Sequence, residues 1–203
     1  MNTVFLVHGG LWDPMNAERF WRTPGIVAAL ETRGITVLAP DRPQSPDSWT
    51  EEVAVLRKLL PPEPVVVVGA SNGCSAAALL AIEYPDLVQR LVLAWPATGG
   101  DPVVDERTRA GLTSRGASVA VADELLTANT LRGVRDDDLA LLRIPVAVLP
   151  SVPENPPHQR KTVDTLLSLI PGSRELPGCP EPPTPHFPPH KDELAETLAA
   201  FAR

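Results

Sequence analysis

The chain has 203 residues, 43% of them hydrophobic and 21% charged, which is typical of a folded domain and excludes a disordered chain. Its formal net charge of −7 argues against nucleic acid or an anionic membrane as the main partner. No apolar run approaches the roughly 20 residues of a membrane span, and the first residues form no charged leader. We therefore expect a cytoplasmic protein that folds as one domain over residues 1–203.

Apolar segments of strand character alternate with helical segments along the chain. Strands are predicted at 3–9, 35–41, from 65, within 87–96, and at 144–150 and 173–178. Helices are predicted at 20–33, 48–60, directly after 73, 162–172 and 192–203, and residues 97–143 are polar and helical in pattern. Strands that are apolar throughout are buried on both faces. The sequence therefore predicts the α/β class, with a mostly parallel sheet of about six strands and helices on both faces.

The segment VVVVGASNG at 65–73 is the most informative stretch of the chain. Four β-branched residues run into a turn with Ser71 at its tip, and a helical run of small residues follows. The Gly-x-Ser-x-Gly pattern in this context is that of a nucleophile elbow, where the serine hydroxyl stands above the sheet. Gly69 and Gly73 are expected because such a turn leaves no room for a Cβ two residues on either side. His8, Ser71, Trp95 and Glu154 all lie at or just beyond the ends of predicted strands, so we expect them to meet in one crevice at the carboxyl ends.

These segments, in this order, resemble the α/β-hydrolase fold family over nearly the whole chain. The matching features are HGG at 8–10, GASNG at 69–73, the strand LVLA and the strand IPVAVL. The resemblance implies a short member that lacks the two usual leading strands, with residues 97–143 as a small cap insertion. It also implies a triad in the chain order serine, acid, histidine.

The acid of the family usually lies in the loop that follows the cap and the next strand. Glu154 is the carboxylate of that loop, and Asp101, in the loop after the preceding strand, is the alternative. The histidine usually precedes the last helix, which favours His186. His190 is expected to cap that helix or face solvent, and His158 is a third candidate for the base.

The oxyanion hole of the family takes main-chain N–H groups from two loops. The resemblance assigns one donor to Asn72, directly after the nucleophile, and the second to Gly10, with Leu11 as the alternative. His8 is expected to tie down its own loop. Trp12 and Trp95 are candidates for lining an apolar substrate pocket, and both could equally pack under the cap.

The function predicted from these residues is a serine hydrolase acting on a small ester, lactone, thioester or amide. Ser71 would be the nucleophile, His186 the base and Glu154 the acid that orients it, so activity should fall as the histidine is protonated. The alternatives are a non-hydrolytic cyclase, isomerase or lyase on the same fold, and a binding protein with little turnover. No metal or dinucleotide motif is present in the sequence, so we expect no metal and no cofactor, a small-molecule substrate, and an apolar cap surface that is compatible with a homo-oligomer.

Overall fold

The computed structural model describes residues 2–127 and 129–203, and within them the strands form one parallel sheet. The sheet has the spatial order β2-β1-β3-β4-β5-β6, and each neighbouring pair runs in parallel. The strands are β1 (Thr3–Val7), β2 (Thr36–Leu38), β3 (Val65–Ala70), β4 (Val88–Ala94), β5 (Val146–Leu149) and β6 (Arg174–Glu175). The α/β class and the six-stranded parallel sheet predicted from the sequence are thus confirmed.

Helices connect the strands in the order predicted from the hydrophobic pattern. They are α1 (Ile26–Glu31), α2 (Trp49–Leu59), α3 (Gly73–Glu83), α4 (Pro102–Ser114), α5 (Val119–Leu125), α6 (Asp136–Leu139), α7 (Arg160–Leu169) and α8 (Lys191–Ala202). A short π-helical turn at Glu18–Arg22 precedes α1, so the predicted helix at 20–33 is split in two. The helices α4, α5 and α6 all lie between β4 and β5. No helix in the described residues is both long enough and apolar enough to cross a membrane.

The strands are apolar throughout because both faces of the sheet are covered. Alternate residues of β1 and β3 point to opposite sides, as the pleat requires. One side packs with α2, α3 and α7, and includes Phe5, Val65 and Val67. The other packs with α1 and α8, and includes Val4, Leu6, Val66 and Val68. Full burial of each such side chain contributes about 1.5–3 kcal/mol, so these two layers hold the strand ends in place.

Candidate active site

The turn between β3 and α3 holds Ser71 in a backbone conformation that side chains rarely adopt. Ser71 has φ +52°, in the left-handed region, which stores strain of a kind that clusters at functional sites. A Cβ on Gly69 would lie 2.6 Å from the Cβ of Ala77, and a Cβ on Gly73 would lie 2.5 Å from the carbonyl oxygen of His8. Both positions therefore admit only glycine, and the turn presents the serine hydroxyl beyond the end of the sheet.

The hydroxyl of Ser71 is hydrogen-bonded to His158. The Ser71 Oγ–His158 Nε2 distance is 2.9 Å. The other ring nitrogen, Nδ1, lies 3.0 Å from Asn155 Oδ1 and 2.9 Å from Glu181 Oε1. Both of these partners are acceptors, so the proton of a neutral imidazole is on Nδ1 and Nε2 is the acceptor. In this tautomer His158 can accept a proton from the serine hydroxyl.

Each carboxylate oxygen of Glu181 has a hydrogen-bond donor. Oε1 accepts from Asn155 Nδ2 at 2.9 Å in addition to His158, and Oε2 accepts from Ser151 Oγ at 2.8 Å. Burial by itself would raise the pKa of Glu181, but the hydrogen bond and charge of His158, with the Ser151 hydroxyl, lower the pKa to about 2. Glu181 is therefore ionised near neutral pH and can stabilise a positive charge on the imidazole.

The loop after β5 is shaped so that His158 faces the serine. Asn155 and His158 pair across a tight turn, with His158 N–H donating to Asn155 O at 2.9 Å and Pro156-Pro157 between them. The chain on both sides of the histidine is fixed from β4, since Thr98 N–H donates to Pro157 O at 2.8 Å and Thr98 Oγ1 accepts from Gln159 N–H at 3.0 Å. The proline pair and the Thr98 contacts make this turn rigid.

The structure does not bring the predicted base, His186, to Ser71. His186 is exposed, whereas its neighbour Phe187 is buried at 1% exposure in the layer formed with α1 and α8. The chain direction that buries the phenyl ring turns the imidazole outward, and His158 lies against Ser71 instead. His190 is the residue just before α8 and makes no side-chain cap there.

The predicted acid, Glu154, also lies outside the hydrogen-bonded set around Ser71. Its side chain is exposed, and Oε2 accepts from the main-chain N–H of Arg160 at 2.7 Å, at the start of α7. The alternative acid, Asp101, accepts from the N–H groups of Val103 and Val104 at the start of α4 and pairs with Lys161 at 2.6 Å. The ion pair with Lys161 and the helix N–H groups lower the pKa of Asp101. Glu154 and Asp101 thus each accept from N–H groups at the start of a helix and stabilise that helix end.

The loop of the HGG motif passes directly beside Ser71. A Cβ on Gly9 would lie 3.1 Å from Ser71 Cβ. His8 is 3% exposed, its Nδ1 donates to Gly9 O at 2.7 Å, and its Nε2 accepts from Arg42 N–H at 3.0 Å. Burial and then the charge of Arg42 lower the pKa of His8 to about 4, so the ring is neutral. His8 ties down its own loop, in the role that the sequence indicated.

A buried ion pair holds the same loop from the outside. The Arg42 guanidinium donates to His8 O at 2.8 Å and to Gly10 O at 2.7 Å, and it pairs with Glu52 at 2.5 Å. Both side chains of the pair are almost fully buried, so removing either partner would leave an uncompensated charge. Arg42 thus fixes the carbonyl groups of the loop. The main-chain N–H groups of the same peptide planes point to the opposite side, away from Arg42.

The predicted oxyanion donors remain candidates. Among the residues that the structure describes, no acceptor is hydrogen-bonded to the main-chain N–H of Gly10, Leu11 or Asn72. Gly10 has φ +90°, and a Cβ there would lie 2.3 Å from Asp13 Oδ1, so this position also admits only glycine. Asn72 directly follows Ser71, and Gly10 follows Gly9, which lies against Ser71, so the two candidate donors come from two different loops at the serine.

The two candidate pocket tryptophans have different surroundings. Trp95 is fully buried, its ring packs near Phe20 and Trp21, and its Nε1 donates to Cys179 O at 2.8 Å. Trp95 is buried in the layer that packs with α1 and α8, where a substrate does not reach it. The prediction that Trp95 lines a substrate pocket is therefore wrong. Trp12 is half-buried and its Nε1 donates to Pro46 O at 2.8 Å, so its role at a substrate stays a prediction.

Sequence reasoning missed Glu181 altogether. The residue lies in the proline-rich segment 177–189, which reads as a stiff loop, and Glu181 is the one carboxylate in that segment. The sequence contained two possible histidine–glutamate pairs, and each pair takes one residue from the loop after β5 and one from the segment 177–189. One pair is Glu154 with His186, and the other is His158 with Glu181.

Comparisons with known proteins agree with this architecture. The sequence model of the family described as alpha/beta hydrolase fold matches residues 2–123. No curated protein sequence matches the chain. Among solved structures, MGS-MChE2, an alpha/beta hydrolase enzyme from the metagenome of lagoon sediments of Mar Chica, Morocco, has a TM-score of 0.73 and 19% identity, over 98% of this chain and 90% of that chain.

Two further structures are similar over a comparable length. The esterase RhEst1 from Rhodococcus sp. ECU1013 has a TM-score of 0.68 and 17% identity, over 99% of this chain and 90% of that chain. The thioesterase domain from the curacin biosynthetic pathway has a TM-score of 0.64 and 16% identity, over 99% and 90% respectively. At such identities the likeness concerns the fold.

Proposed function

Since the chain belongs to the α/β-hydrolase fold family, we propose that it is a serine hydrolase with the triad Ser71, His158 and Glu181. The observation that carries the proposal is the continuous pair of contacts Ser71 Oγ–His158 Nε2 at 2.9 Å and His158 Nδ1–Glu181 Oε1 at 2.9 Å. The substrate class is a small ester, lactone, thioester or amide. An esterase and a thioesterase domain among the similar structures favour the ester and thioester.

The reaction begins when Ser71 Oγ attacks the carbonyl carbon of the substrate. The hydroxyl proton passes to Nε2 of His158, and Glu181 stabilises the imidazolium through Nδ1–H. The oxyanion accepts hydrogen bonds from the main-chain N–H groups of Asn72 and Gly10. When the tetrahedral intermediate collapses, the bond to the leaving group breaks and the leaving group takes the proton from Nε2.

The second half of the reaction releases the acyl group from Ser71. A water molecule gives a proton to His158 Nε2 as its oxygen attacks the ester carbonyl of the acyl-enzyme. Collapse of this intermediate breaks the bond to Ser71 Oγ, which recovers the proton, and the carboxylic acid leaves.

The proposed triad has an unusual chain order for the family. The usual order is serine, acid, histidine, whereas here the histidine follows β5 and the acid follows β6. Triads are defined by geometry and role, and three unrelated chain orders perform the same chemistry in other hydrolases. The reversed chain order of the histidine and the acid therefore does not alter the chemistry expected of the three side chains.

A covalent probe tests the proposal with matched histidine variants. Wild type, Ser71→Ala, His158→Gln and His186→Gln are treated with a fluorophosphonate probe and assayed on a panel of nitrophenyl esters. We expect labelling and turnover in wild type and His186→Gln, and loss of both in Ser71→Ala. His158→Gln should lower kcat by about 10³-fold or more, as removal of the base of a triad does.

Two outcomes would contradict the proposal. Turnover in Ser71→Ala at the wild-type rate would show that the serine is not the nucleophile and would favour a non-hydrolytic reaction. Loss of labelling in His186→Gln, with normal labelling in His158→Gln, would return the base to His186. Circular dichroism spectra of all four proteins separate loss of chemistry from loss of fold.

A further inference from the structure

Arg132 joins the segment between β4 and β5 to the turn that carries the nucleophile. Its side chain is only 3% exposed. Nη1 donates to Asn72 Oδ1 at 2.8 Å, and Nη2 donates to Asp105 Oδ1 at 3.1 Å and to Thr108 Oγ1 at 3.2 Å. Nε is buried without a partner in the described residues. An unpaired buried donor costs stability, so burial of Arg132 at this position is unfavourable in itself. The contact of Nη1 with Asn72 therefore points to a role for Arg132 in the site.

The contact fixes which way the side-chain amide of Asn72 points. A guanidinium only donates hydrogen bonds, so the carbonyl oxygen of the amide must face Arg132 and the NH₂ group must face away from it. Asn72 occupies the position before α3, where an asparagine usually accepts from an N–H group of the first helical turn. Here it makes no such cap. Arg132 therefore withdraws the amide oxygen from the helix end and holds the side chain in one orientation.

The NH₂ group that results is a donor beside the nucleophile. Asn72 directly follows Ser71 and is half-buried, and within residues 2–127 and 129–203 no acceptor is hydrogen-bonded to its Nδ2. Its main-chain N–H is the expected oxyanion donor. The side-chain carbonyl oxygen is bonded to Arg132, so the side-chain NH₂ group is a second donor, distinct from the main-chain N–H.

We propose that Asn72, oriented by Arg132, donates a side-chain hydrogen bond to a second oxygen atom of the substrate, close to the scissile carbonyl. The inference rests on the proposed function and narrows its substrate class. It assigns to this site esters or thioesters that carry an ether, carbonyl or hydroxyl oxygen within a few atoms of the carbonyl carbon. Asn72 is then a binding residue, and Arg132 is a positioning residue that acts through it.

Pairs of isosteric esters test the proposal. Nitrophenyl methoxyacetate is compared with nitrophenyl butanoate, and nitrophenyl 3-methoxypropanoate with nitrophenyl pentanoate, each rate being divided by the rate of hydroxide hydrolysis. Within a pair the two acyl groups differ by an ether oxygen in place of a methylene. A neutral hydrogen bond predicts that kcat/KM for the ether ester is about 3- to 10-fold higher in at least one pair.

Variants of Asn72 and Arg132 locate the preference. Asn72→Asp keeps an acceptor for Arg132 but removes the donor, so the preference should fall to about 1 or below. Arg132→Gln should reduce it in the same direction because the amide is no longer oriented. Asn2→Asp is the matched control, since Asn2 donates to Ala202 O at 2.6 Å at the opposite end of β1, and it should keep the wild-type ratio.

The ratio compares two substrates on one protein, so a general loss of folded enzyme cancels. A wild-type enzyme that cleaves all four esters without preference would overturn the inference, as would a preference retained in Asn72→Asp. Failure of the proposed function is distinct, because then the wild type would neither cleave the esters nor react with the fluorophosphonate. Circular dichroism spectra and urea unfolding of Asn72→Asp, compared with wild type, check that its fold is intact.

Discussion

Thr98 connects β4 to both sides of the proposed base, and Thr98→Val should therefore weaken folding and turnover together. Thr98 is fully buried, and its Oγ1 accepts from Gln159 N–H at 3.0 Å and from Thr162 Oγ1 at 3.0 Å. Its main-chain N–H donates to Pro157 O at 2.8 Å. Valine has nearly the same shape as threonine, so the change removes the hydroxyl and leaves the main-chain hydrogen bond.

The expected magnitude follows from the two donors that lose their acceptor. Thr162 is buried and Gln159 is half-buried, and each unpaired donor costs about 1–3 kcal/mol in proportion to its burial. We expect the free energy of unfolding to fall by about 2–4 kcal/mol. Displacement of the chain at residue 159 also shifts His158, and misplacement of a reacting group by a fraction of an ångström should lower kcat by about 10-fold with little change in KM.

Urea unfolding and steady-state kinetics measure the two effects, with Thr98→Ser and Thr162→Val as controls. Serine retains the hydroxyl, so Thr98→Ser should lose less than about 1 kcal/mol, apart from the small cavity left by the methyl group. Thr162→Val removes one donor to Thr98 but leaves the contact with Gln159, so kcat should stay within about twofold of wild type. Wild-type stability and kcat in Thr98→Val would refute the reasoning.

Three further predictions concern the acid, the buried histidine and the turn. Glu181→Gln should lower kcat by about 10²- to 10⁴-fold, because an amide cannot stabilise the imidazolium. Glu154→Gln should leave the rate of ester hydrolysis within about twofold of wild type. Equal losses in the two variants would contradict the assignment of Glu181 as the acid. His8 has a folded-state pKa of about 4 against about 6.5 when unfolded, so the unfolded state binds the proton first and stability should fall by about 3 kcal/mol as the pH decreases from about 6.5 to about 4. That pH-dependent loss, measured by urea unfolding, should be absent in His8→Gln. Gly73→Ala should unfold or lose about 3 kcal/mol or more, since its Cβ would meet main-chain oxygen atoms at 2.5 and 2.7 Å, and thermal melts should show Gly111→Ala, in α4, close to wild type.

Local rules were sufficient to predict the fold class and the turn at Ser71. The apolar strands and amphipathic helices predicted the sheet because each pattern reflects the burial of a short segment on one or two faces. Ser71, Gly69 and Gly73 form a pattern of five residues that a sequence displays directly. The close approaches at Gly69 come from the same segment, Gly73 to Ala77, whereas those at Gly73 come from the carbonyl oxygens of Val7 and His8 at the end of β1.

Which residues are the proposed base and acid depends on the order of strands in the sheet. Ser71 follows β3, and neighbouring strands are about 4.8 Å apart, so the loop after β5 lies about 10 Å away and the loop after β6 about 14 Å away. The nearer loop contacts Ser71 with His158, and the farther one reaches only the far side of that imidazole with Glu181. Each loop contains one histidine and one glutamate, counting residues 150–159 and 176–189.

By itself, the amino-acid sequence determined a parallel α/β sheet with a strained serine at the end of its third strand. It also supplied two histidine–glutamate pairs that satisfy the same chemistry equally well. Only the tertiary structure decided between them, because burial of Phe187 turns His186 to the solvent while Thr98 fixes the turn of His158 against Ser71. Packing of residues remote in the chain sets these orientations, and residue type and spacing do not record it.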